Sequence, residues 1–208
     1  MLRRLLILIA VSLIVTFSAT ADIVPFLDTV VDLGGGDFGF NYAINVSGVE
    51  RLDPTATNGL TCGGAACNPA GTFFTIYDIP DFVGTGAVLP SGWGVSVQLT
   101  GLTPFNAGVP DGSLMENVTF TYTGPVINGP VDISGFQIIS TSNAVAPGSY
   151  SSQATNNTAD LLNGTTDFAF GSVSVPKASA VPEPASTAIL LSGGLIGLAL
   201  VRKRFTRQ

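Results

Sequence analysis

The sequence predicts an all-β body, a β-sandwich of Ig-like or jelly-roll type, with a closed barrel as the alternative architecture. Three observations carry this expectation. Apolar and polar residues alternate with period two in several short runs, turn-forming clusters separate those runs, and no stretch between the termini sustains a 3.6-residue apolar period. Short strands with one apolar face are stable when two sheets bury those faces against each other.

The strands follow in order. Phe40, Tyr42, Ile44 and Val46 alternate with Asn41, Ala43, Asn45 and Ser47, giving one amphipathic strand. A second spans Thr72–Ile79. Trp93, Val95, Val97 and Leu99 alternate with Gly94, Ser96 and Gln98, and Val118, Phe120 and Tyr122 alternate with threonines. Ile133–Ser140, Ser149–Ala154 and Asp167–Val175 complete the set. In the last, Phe168 and Phe170 give way to Val173 and Val175, a phase change that predicts a β-bulge at Gly171. Turns are expected at Asp53-Pro54, Leu89 to Gly92, Pro110 to Gly112, Gly124-Pro125, Asn128 to Pro130 and Pro147-Gly148.

Composition narrows the function. All fourteen Asp and Glu lie between residues 22 and 184, where Arg51 and Lys177 are the only basic residues, a net charge of −12. Such a body offers no basic patch to a phosphate backbone, which argues against nucleic acid as a partner. The chain contains no histidine, closing the Ser-His-Asp and Cys-His routes and imidazole metal sites. No Walker loop, G-x-S-x-G elbow or EF-hand loop is present; Asp32 to Asp37 comes nearest to an acidic calcium loop, and its three glycines read as a turn. No cofactor and no metal site are expected, and the body reads as non-enzymatic. A glycosidase needs only two carboxylates, with Asp78, Asp81, Asp111 and Glu116 as the candidates. A carbohydrate-binding module needs an exposed aromatic strip. Trp93, at a strand start between glycines, is the candidate sugar contact, although its phase with Val95 and Val97 also fits the core. Tyr77, Tyr122 and Tyr150 carry the same ambiguity. Cys62 and Cys67, the only cysteines, are expected to pair as a disulfide closing a small loop.

The two ends speak to location. Arg3 and Arg4, an apolar run from Leu5 to Phe17 and the small residues Ala19-Thr20-Ala21 have the form of a signal peptide (1–21), cleaved between Ala21 and Asp22. The extracytoplasmic domain then covers 22–176, and a linker, 177–184, ends in Val181-Pro182-Glu183-Pro184. Residues 185–201 are apolar or small and uncharged, enough for a short transmembrane helix at about 1.5 Å per residue. Arg202, Lys203 and Arg204 in the tail 202–208 form a basic stop that favours the cytoplasmic side.

This order of Pro-Glu-Pro motif, apolar run and basic cluster resembles the PEP-CTERM sorting signal of Gram-negative bacteria, over roughly the last 28 residues. The resemblance implies recognition at or near Val181–Pro184 by an exosortase, a membrane-embedded cysteine protease or transpeptidase. It also implies an inner-membrane precursor, a destination at the cell surface or extracellular matrix, and association with exopolysaccharide in a biofilm. The expected role is structural or adhesive, with a carbohydrate-binding module and a carboxylate-dependent glycosidase as alternatives.

Overall fold

The computed structural model describes residues 23–56, 61–62, 65–66, 71–104, 108–109, 111–112, 114–159 and 163–179. The signal segment with its Ala21–Asp22 junction, the Val181–Pro184 motif, the apolar run 185–201, the Arg202–Arg204 cluster and Cys67 lie outside them. Among the described residues, no helix is long and apolar enough to cross a membrane.

The described chain is all-β. Its strands are β1 (Ile23–Gly34), β2 (Asp37–Val46), β3 (Glu50–Leu52), β4 (Thr61–Cys62), β5 (Ala65–Ala66), β6 (Phe73–Ile79), β7 (Phe82–Thr85), β8 (Trp93–Gln98), β9 (Glu116–Tyr122), β10 (Ile127–Asn128), β11 (Val131–Ser140), β12 (Val145–Asn156) and β13 (Thr166–Pro176). Every strand expected from periodicity is present. One sheet runs β1-β2-β11-β7; the other runs β10-β3-β12-β6-β9-β8, with β13 on the far side of β12; β4 and β5 form a small separate ribbon.

One apolar core lies between the two sheets. From the four-stranded sheet come Phe40, Tyr42, Ile44 and Val46 of β2 and Phe136 and Ile138 of β11; from the other come Phe74, Ile76, Trp93, Val118, Phe120 and Tyr122. Phe136 stands edge-on to Phe74 at 5.0 Å, to Trp93 at 5.0 Å and to Phe120 at 5.1 Å. Such edge-to-face pairs add to the roughly 1.5–3 kcal/mol that burying each large apolar side chain contributes. Two polar stitches also cross the core: the Tyr42 hydroxyl donates to the Ser174 carbonyl, and Ser152 Oγ donates to the Ile23 carbonyl.

Both strands flanking β2 bulge at the same level. On β1, Leu27 pairs with Tyr42 and Thr29 with Asn41, leaving Asp28 as the extra residue. On β11, Ser134 pairs with Ala43 and Phe136 with Tyr42, leaving Gly135, whose φ of 99° suits glycine. The bulge shifts the inward side of β11 from Ile133 to Phe136.

Two local expectations fail. β13 pairs with β12 without a register break from Val145↔Pro176 to Thr155↔Thr166, so there is no bulge at Gly171. Instead Ala169, Val173 and Val175 are buried in a single phase, and Phe168 and Phe170 point out of the sheet. Pro147-Gly148 is not a turn but part of β12. Proline is tolerated there because β6 joins β12 only from Tyr150 onward, so one side of Pro147 has no ladder to complete. The expected turn at Asp32 to Asp37 does form, with positive φ at Gly34, Gly35 and Gly36.

Candidate functional site

Hydroxyl, amide and aromatic side chains share the outer face of the larger sheet. Register sets the array: Phe170, Ser151, Thr75, Thr119 and Ser96 lie in one row across β13, β12, β6, β9 and β8, and Phe168, Gln153, Phe73, Thr121 and Gly94 lie in the next. On an ordinary solvated face these hydroxyls would meet water. Here Thr75, Thr119 and Ser151 are buried, and the segment after β8 folds back as a strap whose Leu102 carbonyl reaches Thr75 and Ser151; Gln153, also buried, donates instead to the Gly71 carbonyl at 2.7 Å.

The strap is held by polar contacts at two points. At the first, Leu102 offers its carbonyl to Thr75 Oγ1 at 2.7 Å and to the Tyr77 hydroxyl at 2.9 Å. The Tyr77 oxygen also meets Ser151 Oγ at 2.7 Å and Thr103 Oγ1 at 2.6 Å, while Thr75 Oγ1 meets Thr119 Oγ1 at 2.8 Å. At the second, Asp111 accepts from the Gly101 amide at 3.1 Å and from Asn117 Nδ2 at 2.9 Å. Asp78 accepts from the Gly112 amide at 2.7 Å, and the Asp78 amide donates to Asn117 Oδ1 at 2.8 Å. Burial raises the Tyr77 ionisation, its Ser151 and Thr103 hydrogen bonds oppose that, and nearby Asp111 adds to it, with a net upward shift.

Two of the four candidate carboxylates therefore meet in one network, where Asp78 and Asp111 bind backbone amides and tie the strap down. Asp81, with φ 52°, immediately precedes β7, its carbonyl accepting from the Thr141 amide, and Glu116 opens β9. No group of three or more metal-ligating side chains occurs among the described residues.

Trp93 does not fill the role of sugar contact. Its ring is 7% exposed, stands edge-on to Phe74 at 5.7 Å and packs on Tyr122 at 5.2 Å, because the in-phase positions of β8 begin deep in the core and leave it toward Val97. Tyr77, Tyr122 and Tyr150 are likewise buried. On the larger sheet the exposed aromatics among the described residues are Phe168 and Phe170, 39% and 58% exposed, on the face opposite the core. Cys62 lies on β4, opposite Ala65.

Beside Phe170 opens a cleft of about 490 Å³. Its floor is the cross-strand pair Ser149 and Ser172, with Pro147 beyond and Gly108 and Val109 of the strap along one side. On the same face the neighbouring pairs are Pro147↔Ser174 and Ser151↔Phe170, so one larger side chain stands on each side of the Ser149↔Ser172 pair. Ser172 Oγ donates to the Gly148 carbonyl at 3.0 Å, leaving its lone pairs to accept. The hairpin beneath is close-packed: a Cβ on Gly148 would fall 2.6 Å from both Val175 methyls, and one on Gly171 would fall 2.9 Å from the Tyr150 ring.

No known family model matches this chain, and the curated proteins include no match to it.

The four-stranded sheet turns a different outer face to solvent. Asn41 Nδ2 donates to Thr29 Oγ1 at 3.1 Å, Gln137 Nε2 donates to Asn41 Oδ1 at 2.8 Å, and Asn45 Nδ2 donates to Asp132 Oδ1 at 2.7 Å. Away from both faces, Asp53 meets Arg51 at 3.2 Å. Burial disfavours the Asp53 carboxylate, but hydrogen bonds from the Thr55 amide and hydroxyl, with the Arg51 charge, outweigh it and hold its carboxyl below the ordinary range.

Proposed function

We propose that this chain is an exported surface or extracellular-matrix protein with a structural or adhesive role in exopolysaccharide, held first at the inner membrane and released by an exosortase. The observation that carries the reading is the three-part tail: Val181–Pro184, an uncharged apolar run, then Arg202, Lys203 and Arg204. The signal-like first 21 residues agree with it, because they send the body across the same membrane whose inner side would retain the basic cluster. The strongly acidic, all-β body suits a soluble extracellular domain, and an Ig-like or jelly-roll sandwich is the finer fold we assign. In an oxidising compartment Cys62 and Cys67 pair and pin the loop that carries the β4–β5 ribbon.

The test is the intact mass of the protein recovered separately from membranes and medium, with its C-terminal peptide sequenced. A terminus between Val181 and Ala185 supports sorting and release. Retention of Arg204 and Gln208 in every fraction overturns it and leaves a permanent anchor.

The Phe168–Phe170 strip favours a second reading, a carbohydrate-binding module, over a glycosidase. Paired catalytic carboxylates need room for a substrate between them; Asp78 and Asp111 instead hold backbone amides under the strap.

A further inference from the structure

We infer that the cleft between β13 and the strap is a binding site for an uncharged glycan, with Phe170 as the stacking platform and Ser149 and Ser172 as hydrogen-bonding floor. This rests on the adhesive reading above and names its ligand class.

Three features converge on the cleft. Phe170 is the most exposed aromatic ring among the described residues of this sheet, and it is one of the residues that line the cleft. Stacking on a ring face uses the apolar C–H side of a sugar, while hydroxyls below pair with its polar edge. The serines are suited to that pairing: Ser172 Oγ, its proton committed to the Gly148 carbonyl, accepts from a sugar hydroxyl, while Ser149 Oγ can both donate and accept. Phe168, two residues along the same strand and on the same face, extends the apolar strip by roughly 7 Å, so a chain rather than a single ring is accommodated.

Charge decides between glycan types. None of the described residues lining the cleft is charged. The body carries a net charge of −12 between residues 22 and 184, with Arg51 and Lys177 its only basic residues. A uronate-bearing or sulfated polymer would meet repulsion and no compensating cation, whereas a neutral one loses nothing. An apolar peptide would leave backbone amides over a floor of two serines, and a second copy would bring two acidic bodies together.

The full-length chain is run by affinity electrophoresis in native gels containing hydroxyethyl cellulose, dextran or alginate. The expected result is retardation by at least one of the two neutral polymers and none by alginate. Phe170→Ala should weaken that retardation roughly tenfold or more, as loss of a stacked ring and its desolvated contact implies. Ser172→Ala should weaken it less, and Phe26→Ala, which removes an exposed ring from the other sheet, should leave it unchanged. Far-UV circular dichroism and thermal midpoints of the variants confirm that they fold; if Phe170→Ala does not, Ser172→Ala carries the test. Migration unaffected by both neutral polymers overturns the inference, as do alginate retardation of equal strength, a wild-type response from Phe170→Ala, or an equal loss from Phe26→Ala. These results do not depend on C-terminal processing, so they fail separately from the sorting proposal.

Discussion

The two sheets turn outward faces of similar chemistry in very different settings. On the four-stranded sheet, Thr29, Asn41, Gln137, Asn45 and Asp132 bond across strands in the open. On the larger sheet, Thr75, Thr119, Ser151 and Tyr77 lie beneath the strap, where each polar atom must find protein instead of water. A solvated hydrogen bond exchanges readily for one to water, while a buried group left unpaired carries its full desolvation cost. Outward polarity on a strand is thus decorative in one sheet and structural in the other.

The largest expected break in this contrast comes from alkali. Burial raises the ionisation of Tyr42, Tyr77 and Tyr122 above the usual 10.0, so the folded state holds their protons more tightly than the unfolded chain. Their contribution is fully present below about pH 10 and lost as pH rises through the folded values. Global unfolding should accompany phenolate absorbance at high pH, and coincidence of the two signals checks it. Next comes Gly101→Ala, whose Cβ would fall 2.5 Å from the Tyr77 ring and 2.9 Å from Thr75. It should cost about 1–3 kcal/mol in urea unfolding by forcing the strap off its seat. Tyr77→Phe, which removes the oxygen shared by Leu102, Thr103 and Ser151, should cost about 1 kcal/mol and speed amide exchange in the strap. Acid acts through Asp53, whose lowered ionisation gives stability present above about pH 4 and lost as pH falls through the folded value; Asp53→Asn should flatten that part of the acid limb. The smallest effect belongs to the open sheet: Asn41→Ala should fall within about 0.5 kcal/mol of wild type. A loss from Asn41→Ala as large as that from Tyr77→Phe would erase the distinction.

What the sequence reveals follows from which interactions are local. β2 and β9 are legible because their alternation is regular and their inward residues are all large. β1 is not, since Pro25 and the extra residue Asp28 break its period. The bulge expected at Gly171 occurs in fact at Gly135, where the phase change from Ile133 to Phe136 gives the same signal in the sequence. The two cases differ only in which face finds a partner, a fact of tertiary packing that no strand carries within itself. For the same reason Trp93 and Phe170 exchange roles: the rule that large aromatics face inward suits the first and fails for the second. The strap network is illegible because its hydroxyls become buried through a segment about 25 residues away in the chain.

β13 is the strand that runs up to Lys177, and among the described residues it is held by a ladder on one side only. Any tension transmitted through the chain beyond Lys177 enters at the Val145↔Pro176 rung, and resistance is that of one ladder, not two. The Tyr42–Ser174 stitch lies two residues in and is among the first contacts loaded. Detaching β13 carries off Ser172 and Phe170, and with them half the floor and the rim of the cleft. Peeling β13 away therefore dismantles the cleft and uncovers the core face of Ala169, Val173 and Val175 in one event.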